Sequence, residues 1–331
     1  DEAVQKLLIF GLGDVAQLDL PVLVANWEVT ALTRTARGMG AHERLQVVAF
    51  DLDAPVFSEA QLAALRQNYD AVLWTAPPNA AITDEYATRM RRVMAQWLGS
   101  ATPWQPKRLV YISTTGVYGD CAGAWVDERT TLNPDSSRAQ ARVWDEQAWT
   151  GLGAAIGAPV CVLRAPGIYA LERLPVQSVL AGAPVMLPRE DSFSNHIHAD
   201  DLAGALVYAL SCDDDVYVQN PYIINVCDDE PILMGQWFTA LANVLGVPVP
   251  EHITRTQMQS TVGFMRWSFM RESRKISNTK LRVWGYPFKY PSAIGFIERH
   301  QTTIRAQYLN ACGGNGAAER AARGAACRLT G

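Results

Sequence analysis

Two arginines in the segment RAQAR, Arg138 and Arg142, are the residues whose type and spacing point most directly to chemistry. Side chains four positions apart lie on one face of a helix, one turn from each other. A guanidinium group can bind a phosphate or a carboxylate in a forked geometry, but it stays protonated at any working pH. The pair is therefore suited to holding anions, and Arg138 cannot transfer a proton.

The elements that must position this segment alternate along the first half of the chain. Apolar stretches of strand length are separated by helical stretches; they are KLLIF (6–10), EVTALT (28–33), QVVAF (46–50), DAVLWTA (70–76), RLVYIST (108–114) and PVCVLRA (159–165). Near-continuous apolar strands separated by helices indicate a parallel sheet covered on both faces. We predict an α/β fold, a doubly wound parallel sheet (Rossmann fold) with a smaller C-terminal α/β substrate lobe.

The first of these strands runs into GLGDVA, which fits the pattern G-x-G-x-x-A through Gly11, Gly13 and Ala16. The first glycine permits a tight turn, the second lets a pyrophosphate approach the backbone, and the small third residue lets the helix pack on the strand. Together with Asp14, which opens the helix, these residues are predicted to bind a dinucleotide. The alternative is a glycine turn that only connects strand to helix.

The end of the second strand bears on which dinucleotide is bound. An NAD site usually has an acidic residue there, whereas this chain has Thr33 and Arg34, with Arg37 close behind. A guanidinium can bind a 2′-phosphate that a carboxylate would repel. NADP is therefore predicted in preference to NAD, unless both arginines are simply solvated loop residues.

Two further strand ends fit the same site. Asp51 could meet the adenine amino group, although an aspartate that ends a strand is equally common as a turn former. Thr75, Ala76 and Pro77 follow the fourth strand, at the edge where open α/β sheets bind ligands.

The domain boundaries follow from these assignments and from a change in rhythm after about residue 170. Residues 1–170 are predicted to form the NAD(P)-binding Rossmann domain, and 171–308 a substrate lobe interleaved with the main sheet. Residues 309–331 are rich in Gly, Ala and Arg without apolar periodicity, so we predict a disordered tail.

The bulk properties restrict the partners. The net charge is −4 and the pI is about 5.8, which argues against nucleic acid or a membrane surface as partner. Apolar runs stop short of the roughly 20 residues that span a bilayer, and six scattered cysteines suit a reducing cytoplasm. We expect a cytoplasmic protein that acts on a small molecule and binds no metal. The sequence allows either a monomer or a homodimer.

Several segments resemble motifs of short-chain dehydrogenases/reductases of the extended or atypical kind, the NAD-dependent epimerase/dehydratase family, and they follow one another in the family's order. They are GLGDVA (11–16), LVYISTTGVYGD (109–120), VLRAPGIY (162–169), HIHADDLAGAL (196–206), YIINVCDDEP (222–231) and SNTKLRVWGYPFKYPS (277–292). The glycine spacing departs from the G-x-x-G-x-x-G of extended members, which indicates an atypical subgroup.

The resemblance implies roles for residues at matching positions. In such enzymes a Ser or Thr binds the reacting oxygen, a Tyr transfers the proton, and a Lys four residues later holds the nicotinamide ribose. The hydroxyl position corresponds to Thr114, with Thr115 beside it, and the Tyr-x-x-x-Lys motif is replaced by Arg138 and Arg142. Arg142 could hold the ribose and Arg138 an anionic substrate group. The alternatives are a simple Ser/Thr turn and an i,i+4 ion pair of Arg142 with Glu146.

The proton donor is therefore open, with Asp84 and Tyr118 as candidates, although Tyr118 also suits a structural role in its turn. In family members the backbone around Pro166 to Ile168 approaches the nicotinamide carboxamide.

Asn195 and His196 could line the substrate cleft. His196 and His198 share a strand face but lack a third ligand, which disfavours a metal. The family's H-x-D-D segment, here His198 to Asp201, implies that the aspartates cap the following helix.

These features predict an NAD(P)-dependent oxidoreductase or epimerase/dehydratase-like enzyme that transfers hydride to or from a small polar substrate, with a sugar-derived substrate suggested by analogy. The alternative is a non-catalytic NADP-binding sensor or regulatory module, which would explain the missing tyrosine.

Overall fold

A seven-stranded sheet is the centre of the computed structural model, which describes residues 3–34, 42–79, 83–98, 105–213, 216 and 219–310. Its strands are β1 (Lys6–Phe10), β2 (Glu28–Thr33), β3 (Leu45–Ala49), β4 (Ala71–Trp74), β5 (Arg108–Thr114), β7 (Val160–Ala165) and β12 (Tyr222–Asn225). They lie in the order β12-β7-β5-β4-β1-β2-β3, and every neighbouring pair is parallel. The predicted doubly wound Rossmann sheet is confirmed.

The remaining described strands are short and form pairs outside this sheet. They are β6 (Trp125–Val126), β8 (Gly167–Tyr169), β9 (Val185–Met186), β10 (Phe193–Ser194), β11 (His196–His198), β13 (Ile232–Leu233), β14 (His252–Ile253) and β15 (Lys275–Ile276).

The helices are α1 (Asp14–Asn26), α2 (Glu59–Leu65), α3 (Arg89–Leu98), α4 (Ser137–Ile156), α5 (Val176–Leu180), α6 (Ala199–Ser211), α7 (Met234–Leu245), α8 (Arg255–Thr261), α9 (Phe264–Met270), α10 (Thr279–Trp284), α11 (Ala293–Arg299) and α12 (Gln301–Tyr308). In the described part of the chain, none of them is both long and apolar enough to cross a bilayer.

Strand β1 shows why the sheet is covered on both faces. Leu7 and Ile9 point into an apolar cluster that includes side chains of α1 and α6. Leu8 and Phe10 point into a second cluster, with side chains of α3 and α4. All four are fully buried. Since successive side chains of a strand point to opposite faces, a continuous apolar run requires cover on both sides.

The C-terminal half contributes to this sheet as well as building its own core. Strand β12 pairs with β7, and helix α6 packs on α1. A third apolar cluster joins α5, α7, α11 and α12. Helix α7 ends at Gly246, whose left-handed backbone (φ +69°) closes the last turn.

Candidate active site

The turn between β1 and α1 presses against the end of β4. Gly11 has φ +92°, and a Cβ at this position would lie 2.8 Å from the backbone nitrogen of Ala76. The hydroxyl of Thr75 donates a hydrogen bond to the carbonyl oxygen of Gly11, at 2.7 Å. Position 11 therefore requires glycine both for its backbone conformation and for the close contact with β4.

The start of α1 faces open space. Gly13 is the N-cap residue with no side-chain cap, and a Cβ on it would meet no described atom within 4 Å. Asp14 begins the helix, and Ala16 is buried against the sheet. Uncapped amides at the positive end of a helix bind phosphate, and a side chain at position 13 would fill the space before them. This cradle fits the pyrophosphate of a dinucleotide.

At the end of β2, Arg34 is an exposed side chain that bridges two carboxylates. Its Nη2 lies 3.4 Å from Asp51 and 3.2 Å from Asp53. The Asp51 carboxylate also accepts the Asp53 amide, so this residue does form a turn. Thr33 is buried, and Arg37 lies outside the described residues. Because exposed ion pairs are weak, Arg34 can turn toward an anionic ligand at little cost.

Asp53 is the centre of this charged group, and sequence reasoning missed it. Arg89 donates to both of its carboxylate oxygens at 2.8 Å, and this hydrogen bonding holds the pKa of Asp53 at about 2. Asn79 and Arg92 also donate to Asp53, at 3.1 and 3.4 Å. The DLD sequence was a signal, but its partners lie far away in the chain.

A cleft of about 460 Å³ lies at the carboxyl ends of β4, β5 and β7. It brings together seven residues predicted from the sequence: Pro77, Thr114, Thr115, Arg138, Arg142, Pro166 and Ile168. A larger depression of about 780 Å³ lies between α7 and α11. No predicted site residue lines that depression, so we assign the chemistry to the cleft.

Thr114 holds the 3-10 turn Thr115–Tyr118 and faces the cleft. Its Oγ1 accepts the Gly116 amide at 3.1 Å, and a hydroxyl used in this way keeps its own hydrogen for another acceptor. The neighbouring Ser113 is buried and donates to Glu146 at 2.6 Å. Thr114 therefore both stabilises the turn and presents a hydroxyl group to the cleft.

Arg142 does not form the ion pair with Glu146 that its spacing allowed. Its Nη1 donates to the Tyr111 hydroxyl (3.2 Å) and the Ile112 carbonyl oxygen (3.3 Å). Glu146 instead binds Arg164 through two hydrogen bonds of 2.7 and 3.2 Å. The reason is that Arg164, on β7, meets Glu146 from the sheet side in a forked geometry. Arg142 remains on the cleft wall.

Arg138 lies over an aromatic ring at the cleft. Its guanidinium carbon is 3.4 Å from the centroid of Phe269, and Nη1 donates to the Ser268 hydroxyl at 2.8 Å. Stacking fixes the plane of the guanidinium and leaves its edge available to an anion.

Glu272 and Arg274 also line the cleft, and sequence reasoning missed both. Arg274 contacts Glu272 Oε2 at 3.0 Å and the Gly119 carbonyl oxygen at 2.9 Å. Glu272 is buried, and its Oε1 has no hydrogen-bond partner among the described residues. The run RESRK was the available signal, but such alternating charge usually indicates a solvated segment.

Neither predicted proton donor reaches the cleft, which corrects both assignments. Tyr118 is buried, with its hydroxyl donating to Asn225 and accepting from Arg164, and burial raises its pKa to about 12. Asp84 is exposed and caps a 3-10 turn by accepting the Tyr86 amide. The tyrosine is held by long-range packing, and the aspartate by a local cap.

Asn195 and His196, which the sequence placed at the substrate cleft, make contacts that stabilise the fold. Asn195 bonds the Arg274 carbonyl oxygen and the Ile276 amide, so it ties down that chain segment and does not line the cleft. His196 is buried beside an adjoining apolar cavity. Helix α6 is capped by His198, whose Nδ1 accepts the Asp200 amide.

Asp201 does not cap α6; it binds the Tyr286 hydroxyl and two amides of the 289–290 segment. The described residues contain no group of three or more His, Cys, Asp or Glu side chains placed to hold a metal ion.

Comparison with known proteins agrees with the fold described above. The chain is 26% identical over 253 residues to Protein YeeZ of Escherichia coli K12, covering 75% of this chain and 86% of YeeZ. A conserved protein of unknown function from Silicibacter pomeroyi DSS has a similar structure (TM-score 0.71, 26% identity), covering 90% and 99% of the two chains.

The UDP-glucuronic acid 4-epimerase of Bacillus cereus, solved with UDP-glucuronic acid and NAD, shares the fold at 17% identity (TM-score 0.69), covering 92% and 100% of the chains. The model of the NAD dependent epimerase/dehydratase family matches residues 22–227. That match spans more than half of the chain, from the second half of α1 to just after β12, and includes Thr114, Arg138 and Arg142. This chain therefore belongs to the NAD dependent epimerase/dehydratase family.

Proposed function

We propose that this chain is an NADP-dependent oxidoreductase of the epimerase/dehydratase type that acts on a small hydroxyl-bearing substrate. The observation that carries the proposal is the placement of Thr114 and Arg142 on one cleft, whose Pro77 wall adjoins the cradle of Gly11 and Gly13. Residues 1–170 would hold the cofactor, and 171–308 would form the substrate lobe, which contributes Phe269, Glu272 and Arg274 to the cleft.

Each cleft residue has a role that its contacts allow. Thr114 would donate its hydroxyl hydrogen to the substrate oxygen, and Arg142, whose Nε and Nη2 bond no described residue, would bind the ribose. Bound NADP would supply a hydride acceptor or donor. Glu272, the carboxylate among the described cleft-lining residues, would take the proton of the substrate hydroxyl as the carbinol becomes a carbonyl.

The test is hydride exchange between NADPH or NADP⁺ and a panel of small alcohols and carbonyl compounds. We expect Thr114→Val and Glu272→Gln to lower the rate about 100-fold or more with unchanged NADPH affinity. Loss of a hydrogen-bond donor to the reacting oxygen costs roughly 10²–10³-fold, and a positioned acid–base group contributes roughly 10²–10⁴-fold. Arg189→Met, which removes an exposed arginine outside the cleft, is the matched control. An active Glu272→Gln enzyme would remove the proton-transfer role from this residue.

A second candidate function is a non-catalytic NADP-binding module. It is favoured by Arg138, which stands where the family has its proton-transferring tyrosine and is stacked on Phe269. Tight NADPH binding without exchange across the whole panel would support this candidate over the enzyme.

The preference for NADP rests on the charges at the end of β2. Arg34, Arg89 and Arg92 surround the two carboxylates of Asp51 and Asp53, so cations are in excess where a 2′-phosphate would lie. We expect Arg34→Ala to weaken NADP binding about tenfold or more, because hydrogen bonds to a charged group contribute about 1.5–3 kcal/mol.

NAD affinity should stay the same in that variant, and Arg189→Ala should change neither. The affinities of both dinucleotides are measured by titration of the intrinsic tryptophan fluorescence. An unchanged NADP/NAD ratio in Arg34→Ala would contradict the role of this arginine.

A further inference from the structure

The cleft carries more positive charge than the cofactor role of Arg142 uses. Arg138, Arg173 and Arg274 also line it, and Glu272 supplies the one carboxylate among the described lining residues. Glu272 pairs with Arg274 at 3.0 Å. Neither Arg138 nor Arg173 has a carboxylate of the described residues within ion-pairing distance, and Arg173 is exposed. Two guanidinium groups therefore face the cleft without a direct ion pair to a described carboxylate.

An apolar cavity of about 330 Å³ adjoins the same cleft. The two share the wall formed by Gly167, Ile168, Arg173 and Phe269. The rest of the cavity is lined mainly by large apolar side chains, including Tyr169, Met234, Trp237, Phe238 and Met270. Its volume lies in the range of small-ligand sites, and Arg173 lines both the cavity and the cleft.

Two polar atoms with no partner lie among these apolar walls. The hydroxyl of Tyr169 and Nδ1 of His196 are buried and make no hydrogen bond with the described residues. Burial lowers the pKa of His196 to about 4, so its ring is neutral near pH 7. Both atoms are closed to solvent, so neither offers a hydrogen bond to a ligand in the cavity.

We propose that the substrate is an oxyanion, a phosphate monoester or carboxylate, that carries an aryl or compact alkyl group, and that it is not a sugar nucleotide. The oxyanion binds Arg138 and Arg173, and the apolar group fills the cavity lined by Trp237 and Phe238. A nucleotide would place a base and sugars, rich in polar atoms, against walls that are mainly apolar; the polar side chains of the described lining are Arg173, Ser194, His196 and Arg266. This inference rests on the proposed function, because it describes the substrate of the same cleft.

Calorimetric titration of the full chain, with NADP⁺ at saturation to cover the pyrophosphate cradle, tests the inference. The probes are phenyl phosphate, phenylacetate, inorganic phosphate, benzyl alcohol and uridine diphosphate. We expect phenyl phosphate to bind about 10- to 100-fold more tightly than inorganic phosphate, since burying an aromatic side chain is worth roughly that factor. Phenylacetate separates a carboxylate from a phosphate preference, and either result agrees with an oxyanion site.

Arg138→Met should weaken phenyl phosphate about tenfold or more, Arg138→Lys should do so less, and Arg189→Met should have no effect. Unchanged NADP⁺ affinity and melting temperature in Arg138→Met show that the fold is intact. Tighter binding of benzyl alcohol or uridine diphosphate than of phenyl phosphate would overturn the inference, as would an Arg138→Met affinity equal to that of the unmodified chain.

The titration separates this inference from the proposed function. Binding of phenyl phosphate that depends on Arg138, without hydride exchange on any oxyanion, would support the oxyanion site and contradict the proposed enzyme activity. Hydride exchange on a neutral substrate, with no oxyanion binding, would support the proposed enzyme activity and contradict the oxyanion site. If NADP⁺ itself fails to bind, the same titrations are made without it, and the comparison of Arg138→Met with Arg189→Met still decides.

Discussion

Replacement of Arg164 by Met is expected to lower the free energy of unfolding by about 3–5 kcal/mol. Arg164 and Glu146 are both buried, and two hydrogen bonds join them. Arg164 also donates to the hydroxyl of Tyr118. Without Arg164 the Glu146 carboxylate would keep one described hydrogen bond, from Ser113, and its charge would be unpaired in the interior. Glu146 lies one turn beyond Arg142 on α4, so the pair also holds the cleft helix against the sheet.

Urea unfolding of Arg164→Met measures this loss. The double variant Arg164→Met/Glu146→Gln should regain a large part of it, because no uncompensated charge remains. Arg189→Met, which removes one member of an exposed pair, should change stability by less than about 1 kcal/mol. If the double variant is as unstable as the sum of the two single variants, the charges are not coupled.

Substitution of Asp228 by Asn is expected to remove a destabilisation of the native state that grows as pH rises. Asp228 is buried behind the cavity-lining His196, whose carbonyl oxygen accepts its amide at 2.8 Å. One carboxyl oxygen accepts the Glu230 amide, and Oδ2 has no described partner. Burial raises the pKa of this carboxyl to about 8.

The sign of the effect follows from proton linkage. Between pH about 4 and about 8 the native state keeps a proton that the unfolded state has lost, so the stability contributed by this group falls as pH rises. The slope is about 1.4 kcal/mol per pH unit, which sums to about 6 kcal/mol over the interval. Asn keeps the shape and the acceptor for Glu230 but does not titrate, so Asp228→Asn should lose this part of the pH dependence.

Urea unfolding of both proteins at pH 5 and pH 8 measures the difference. The advantage of Asp228→Asn should be larger at pH 8, by several kcal/mol. His196 acts in the opposite direction: its lowered pKa makes stability rise between pH about 4 and 6.5, but it is present in both proteins and cancels. The same difference at both pH values would contradict a raised pKa for Asp228.

Much of the fold follows from patterns that are local in the chain. The strands predicted at 6–10, 28–33 and 108–114 have those bounds in the structure, because an unbroken apolar run between turn residues is enough to define a buried parallel strand. The turn at Gly11 and Gly13 is likewise local, since their spacing alone determines where the backbone bends and where α1 begins.

The cleft could be predicted only where one element carries the information. Helical spacing alone placed Arg138 and Arg142 on one face, and the resemblance to the epimerase/dehydratase family joined them to Thr114 at the end of its strand. Glu272 and Arg274 could not be found in this way, because they come from a segment more than a hundred residues away.

The ion-pair and hydrogen-bond partners of the site residues also could not be predicted from the sequence. Helical spacing offered Glu146 to Arg142, and the packing of β7 against α4 gave it to Arg164 instead. Tyr118 follows a strand that ends at the cleft, yet its hydroxyl lies inward between Asn225 and Arg164. Element type, strand polarity and the cofactor turn depend on neighbouring residues and can be inferred from the chain. Which charge meets which, and which carboxylate reaches the cleft, depends on contacts between distant segments that form only when the sheet and the lobe pack.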